Sequence, residues 1–295
     1  MLTFLFAAFL AAAPSSPDAG RVVQAPVANM YSLPTEDSSV VSQAFYSTAV
    51  TVLEERRGWA KIRTPDSYQG WALSKHLRAG ASAYGPTKRT ATVRSLFAHL
   101  YREPNVTHHA PLLTVPFESR LEIIAEPHDR RWLEVRLVDD RAAWLQRGDV
   151  ELAPVRPTIP QLLAFAKQFL GLPYTWGGTT SYGYDCAGFT QMLLRRRGVI
   201  MPRDADQQAL WSGMQDVPTA QLQPGDLIFF GASMRKITHT GMMLEHGEFI
   251  HATTHERPVL QISRLADAHW TRLLLCARRP KDNWKDKTND ETPRL

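Results

Sequence analysis

Cysteine is scarce in this chain. Two cysteines in 295 residues, Cys186 and Cys276, cannot build a disulfide framework or a structural zinc site. Metal-ligand spacing is also missing, because His108-His109 reads as a loop pair, and no cofactor or metal is expected. Lysine and arginine form no dense tract, so the net charge of +5 does not argue for nucleic acid. It suits an anionic surface or a carboxylate-rich substrate instead. Long apolar runs are lacking beyond Met1–Ala13, which is too short to span a bilayer as an ordinary helix. With small residues at Ala11–Ala13 and Pro14-Ser15-Ser16-Pro17 behind it, this run predicts a secretory leader over residues 1–20, even though no Lys or Arg precedes it. The expectation is an exported protein, periplasmic or secreted, with no membrane insertion once the leader is removed. No excess of charge argues for disorder: 44% hydrophobic against 21% charged residues is ordinary globular composition, with length for two or three domains.

What is present is concentrated in Pro173-Tyr174-Thr175-Trp176-Gly177-Gly178, a Gly-rich loop running on to Asp185 and Cys186. Phe189, Met192 and Leu193 then fall at helical spacing, Arg195–Arg197 fill a last turn, and Gly198 supplies the stop. Cys186 is therefore expected at a helix N-terminus, where free N–H groups and the helix dipole would lower a thiol pKa. The alternative is a small buried hydrophobe, for which a Gly-Gly loop and a helix start are not needed. Cys276, in the apolar run Leu273–Ala277, reads as packing. Residues 237–244 and 248–253 read as strands joined by a turn at Glu245-His246-Gly247. His239 and His251 would lie on paired strands, where one could serve as base and the other orient it. A lone Cys with distant His residues is the pattern of a cysteine hydrolase.

These residues resemble the NlpC-type bacterial cell-wall cysteine peptidases of the papain-like clan. The resemblance rests on Pro-Tyr-x-Trp-Gly-Gly (173–178), Asp-Cys-x-Gly-Phe (185–189), Pro-Arg-Asp-x-x-x-Gln (202–208), Pro-Gly-Asp-Leu-Ile-Phe-Phe (224–230), His-x-Gly (239–241) and Phe-Ile-His-Ala (249–252). It implies an α+β papain-like domain over residues 157–280, a catalytic set of Cys186, His239 and His251, and Tyr174 facing the nucleophile. A hydrogen-bonded core phenol is an equally weighted reading of Tyr174. Cleavage between γ-D-glutamyl and the diamino acid of murein stem peptides would follow, acting in wall turnover or recycling. Within a subgroup that needs a free L-Ala amine, Asp204 matches the position that pairs with it, although Asp204 also suits a helix N-cap. Asp185 and Arg203 are grouped with Asp204 on the substrate side. Ala187 and Ala205 depart from the serines usual at their positions, which puts the free-amine preference in doubt. Other readings are a cell-wall binding module with an idle catalytic domain and a papain-like amidase or acyltransferase acting elsewhere.

Residues 21–153 contain a repeat. Tyr31-Ser32-Leu33-Pro34 returns as Tyr101-Arg102-Glu103-Pro104, Trp59–Arg63 returns as Trp132–Arg136, and a second Trp follows at the same interval, Trp71 and Trp144. Short alternating strands punctuated by Gly, Pro and Asp fit two small all-β barrels, 21–80 and 85–153. They resemble bacterial SH3-like domains, which implies that they shape the cleft or grip glycan. Tyr68 and Glu36 are the candidate cleft-wall contacts of the first barrel; each also reads as a surface loop residue. All four Trp residues are expected in barrel cores. A proline-punctuated connector, Ala153–Pro157, leads to a helix over residues 159–170. Residues 204–211 suggest a further short helix, and the charged tail 281–295 is expected to be disordered. A monomer acting on peptidoglycan stem peptides is expected.

Overall fold

The structure, a computed structural model, describes residues 20–80 and 82–281. Almost all of the expected leader and of the expected tail lie outside the described residues. Among the described residues no helix is long and apolar enough to cross a membrane.

The repeat in sequence is a repeat in topology. Strands β1–β7 are Gly20–Val23, Val27–Tyr31, Val40–Phe45, Ala49–Arg56, Trp59–Arg63, Gln69–Leu73 and Leu77–Ala79. Strands β8–β14 are Thr90–Val93, Phe97–Tyr101, Leu113–Pro116, Arg120–Ala125, Trp132–Arg136, Ala142–Gln146 and Val150–Glu151. Their spatial orders are β3-β2-β6-β5-β4-β1-β7 and β10-β9-β13-β12-β11-β8-β14, the same path shifted by seven strands. Alternation puts one set of side chains inside each SH3-like barrel. That set is aliphatic: Ala28, Met30, Val52 and Ile62 in the first, and Val93, Leu100, Val135 and Leu145 in the second. The expectation of four core tryptophans therefore needs correction at two of them. Trp71 and Trp132 are buried, 6% and 7% exposed, beside these aliphatic clusters, whereas Trp59 and Trp144 are part-exposed. Trp59 and Trp132 instead pack edge-on against Tyr31 and Tyr101, the tyrosines that open each repeat.

The third unit carries α1 (Ile159–Ala166), a two-stranded ribbon of β15 (Thr179–Thr180) and β16 (Gly183–Tyr184), α2 (Cys186–Arg196) and α3 (Ala205–Leu210). An antiparallel sheet follows, of β17 (Met214–Val217), β18 (Leu227–Ser233), β19 (Lys236–Met243), β20 (Glu248–Thr253), β21 (Val259–Arg264) and β22 (Leu274–Pro280), with α4 (Ala268–Leu273) between the last two strands. The sheet order is β17-β22-β18-β19-β20-β21. Helix α1 is shorter than the periodicity suggests, giving way at Lys167 to a 3-10 turn. Thr158 caps it through a reciprocal capping box with Gln161.

Helix α2 is not an ordinary amphipathic helix, since every residue from Cys186 to Leu194 is buried. It lies between the sheet and both barrels. From the first barrel, Gln43 binds Thr179 through its side chain and its carbonyl, and Asp66 accepts from Gln191 at 2.9 Å. From the second, Phe117 joins the catalytic core against Phe165 and Phe169, and Glu118 pairs with Arg195. The barrels also hold each other, with the Val138 N–H donating to the buried Tyr46 hydroxyl at 2.7 Å.

Candidate active site

The nucleophile candidate sits in the first turn of α2. Asp185 is its N-cap: Oδ1 accepts the Gly188 N–H at 2.7 Å, and Oδ2 accepts the Gly177 N–H at 3.0 Å. The loop can come this close only because residue 188 lacks a Cβ. One added there would stand 2.1 Å from the Gly178 carbonyl oxygen. The Asp-Cys-x-Gly spacing thus describes a steric need of the loop packed on the helix start.

Cys186 is 7% exposed. The sequence argument for a depressed thiol pKa is overturned here, because burial outweighs the helix terminus and pushes the thiol up to about 12. The Asp185 carboxylate adds to the rise, while the N–H groups of Thr240 and Ala187 and the Arg203 guanidinium act against it. The contact from Thr240 also places β19 beside the sulfur, since Thr240 directly follows His239.

His239 Nε2 lies 2.7 Å from His251 Nδ1. His251 is fully buried, and its Nε2 lies 3.0 Å from the Ser263 hydroxyl on β21. With Nε2 of His239 engaged, Nδ1 is the nitrogen left for a proton from the cleft. Gly241 makes the pairing possible, because a Cβ there would sit 2.8 Å from the Phe249 ring and 3.1 Å from the His251 Cβ. His239 stacks on Trp270 with ring centroids 5.2 Å apart, and His251 meets the same indole edge-on at 4.8 Å. Burial pushes the His239 imidazole down to about 3, and His269 and His255 act in the same direction. His251 is likewise held well below its ordinary value, by burial first and then by His239. Burial therefore favours a thiol and two neutral imidazoles in the cleft.

Tyr174, half-buried, enters from the loop. Burial and the neighbouring Cys186 raise its pKa, so the phenol stays protonated and able to donate. The substrate-side candidates fall into three groups. Tyr68 and Asp204 meet across the domain boundary, the hydroxyl donating to the carboxylate at 3.2 Å. Burial first, then Asp204, pushes Tyr68 up to about 12, and burial likewise raises Asp204. Asp204 stands at the N-cap position of α3 without capping it through its side chain. Asp185 and Arg203 form a second pair, buried and bidentate at 2.6 and 3.0 Å, with the guanidinium also donating to Ser42 at 3.2 Å. The pair acts as a strut under the loop, tying Asp185 at the helix start to Ser42 of the first barrel. Glu36 is exposed on the segment after β2, where its carboxylate acts on His76.

Sequence reasoning missed Trp270 and Ser263, which lie outside every quoted motif. It also passed over Trp176, whose indole stays 70% exposed on the loop between Tyr174 and Cys186. Among the described residues no group of His, Cys, Asp and Glu could hold a metal ion.

Residues 171–279 match the NlpC/P60 family, and residues 26–83 match a bacterial SH3 domain. The chain is 32% identical over 241 residues to a gamma-D-glutamyl-L-lysine dipeptidyl-peptidase of Bacillus cereus, covering 76% of this chain and 71% of that one. A Bacillus subtilis protein of the same name is 25% identical over 253 residues, 82% of each chain. The crystal structure of an NlpC/P60 family protein from Bacillus cereus superimposes with a TM-score of 0.77 at 25% identity, over 89% of this chain and 99% of that one.

Proposed function

The chain belongs to the NlpC/P60 family and is a cysteine peptidase of the cell-wall type, and from that premise we propose that it hydrolyses the γ-D-glutamyl–diamino acid bond of murein stem peptides that carry a free N-terminal L-Ala. Cys186 is the nucleophile. As its sulfur bonds to the amide carbon, the thiol proton passes to Nδ1 of His239, and His251 holds that ring through Nε2. The oxyanion that forms is met by the Cys186 N–H at the helix start and the Tyr174 hydroxyl. The C–N bond then breaks and His239 returns its proton to the leaving amine. Water attacks the thioester, with His239 as base again, and restores the thiol.

Such a scheme suits the neutral resting pair. The proton leaves sulfur only as the carbonyl arrives, so sulfur need not carry a free charge beforehand.

The observation that carries the choice of substrate is the Asp204 carboxylate, half-buried and paired with the neutral phenol of Tyr68. A carboxylate raised by burial and met by an uncharged donor is suited to an ammonium group, which would restore its ordinary acidity. The relatives named for dipeptidyl-peptidase activity support the same reading. Ala187 and Ala205 offer no hydroxyl where the resemblance expects serines, so Asp204 and Tyr68 carry the amine recognition between them. The test compares L-Ala-γ-D-Glu-diaminopimelate with its N-acetylated form and with intact sacculi. The free tripeptide is expected to be cleaved, with kcat/KM at least about 100-fold lower after acetylation, equivalent to about 2.7 kcal/mol. Equal turnover of all three would remove the amine requirement, and an active Cys186→Ala would remove the mechanism.

A further inference from the structure

The hydrogen-bonded chain in the cleft does not stop at the second imidazole, and its last member decides which way the protons in it face. His251 is fully buried, with Nδ1 2.7 Å from His239 Nε2 and Nε2 3.0 Å from Ser263 Oγ. Phe249, Trp270 and Gly241 surround the rest of the ring. Both imidazoles are neutral, so each carries one N–H, and the short contact between them holds a single proton. If that proton belongs to His239, its Nδ1 is bare and can accept from the thiol. If it belongs to His251, the proton of His239 sits on Nδ1, and the base is blocked.

We propose that Ser263 is a positioning residue that selects the productive arrangement by accepting the His251 Nε2–H. Ser263 is part-exposed on β21, and a hydroxyl can accept through oxygen while donating its own proton elsewhere. Nε2 is then the protonated nitrogen of His251, Nδ1 offers its lone pair, and His239 must donate. The same orientation persists when His239 becomes an imidazolium, because its Nε2–H still needs an acceptor. Without the hydroxyl, a buried Nε2–H would be left unpaired, which costs ~1–3 kcal/mol. The His251 proton would move to Nδ1, where His239 still offers a partner, and His239 would turn into the wrong tautomer. Register explains the placement: Ser263 is opposite Phe249 and His251 is opposite Gln261, so serine and histidine meet diagonally across β20 and β21.

The inference rests on the reading of Cys186, His239 and His251 as the catalytic set, and the experiment separates the two. Ser263→Ala is expected to lower kcat roughly 10- to 100-fold, the range seen when the outer partner of a metal-bound imidazole is lost, with KM changed less than about twofold. Ser263→Thr, which keeps the hydroxyl on a β-favouring residue, is expected to restore kcat to within about threefold. Side-chain nitrogen NMR is expected to show the His251 proton on Nε2 in the parent chain and in Ser263→Thr, and on Nδ1 in Ser263→Ala. Cys186→Ala and His239→Ala serve as controls. If they are inactive while Ser263→Ala keeps full activity or its His251 tautomer, the role of Ser263 is overturned and the catalytic set stands. Loss of activity with an unchanged tautomer, or without rescue by threonine, also overturns it. Activity surviving in the controls overturns the catalytic set itself.

Discussion

At the scale of single residues, the cleft is governed by how little water reaches it. A helix N-terminus favours an anion, yet Cys186 keeps its proton because desolvation is the larger effect. The same burial keeps His239 neutral, with the stacked pair His255 and His269, rings 3.7 Å apart, pushing it the same way. Tyr174 belongs to this set, since its phenol is raised by burial and by the sulfur beside it. Removing one oxyanion donor typically costs ~2.7–4 kcal/mol, so Tyr174→Phe is expected to lower kcat by roughly 100- to 1,000-fold with little change in KM. Steady-state kinetics on the tripeptide check this. A loss confined to KM would place the hydroxyl in ground-state binding instead.

At the scale of elements, α2 is the piece that everything else clasps. Its arginine run, read from sequence as a basic last turn, is a set of tethers. Arg195 reaches Glu118 and lies over the Phe45 ring, Arg196 reaches Glu151, and Arg197 reaches the Pro157 carbonyl. At the other end, Arg203 holds the Asp185 cap while touching Ser42 of the first barrel. Breaking one side of a buried pair leaves the other charge uncompensated, commonly at ~3–5 kcal/mol. Arg203→Leu is therefore expected to destabilise by about that amount and to abolish activity by loosening the helix start. Chemical denaturation with an activity assay below the transition tests it. An unchanged midpoint would mean that Asp185 is held by the loop N–H groups alone.

For the whole molecule, acid is the weak direction. His239 and His251 have folded pKa values below their ordinary 6.5, so the unfolded chain binds more protons once the pH drops under that value. The stability they allow is present above about pH 6.5 and is lost as the pH falls toward about 3, where His239 titrates in the fold. The melting temperature is expected to fall steadily on acidification from pH 7 to pH 4. A His251→Gln variant, which removes one of the two groups, is expected to show a shallower decline. Parallel declines in the two proteins would assign the acid sensitivity to carboxylates elsewhere.

Much of this was legible in the order of residues. Two matching sets of short strands, a capped helix beginning at Cys186 and a hairpin bearing His239 and His251 are local matters. They are written in turn residues, caps and alternation, which act over a few positions. The tertiary structure decided what depends on distance through space. It raised the thiol against its helix terminus, turned Arg203 and Asp185 into a strut and joined Tyr68 of the first barrel to Asp204 of the third unit. It also brought Ser263 and Trp270 to the imidazoles from strands and helices with no motif of their own. Sequence alone names the groups able to react, because chemistry resides in side chains. Their protonation and their partners are set by which surfaces lose water together, and only the packed chain determines that.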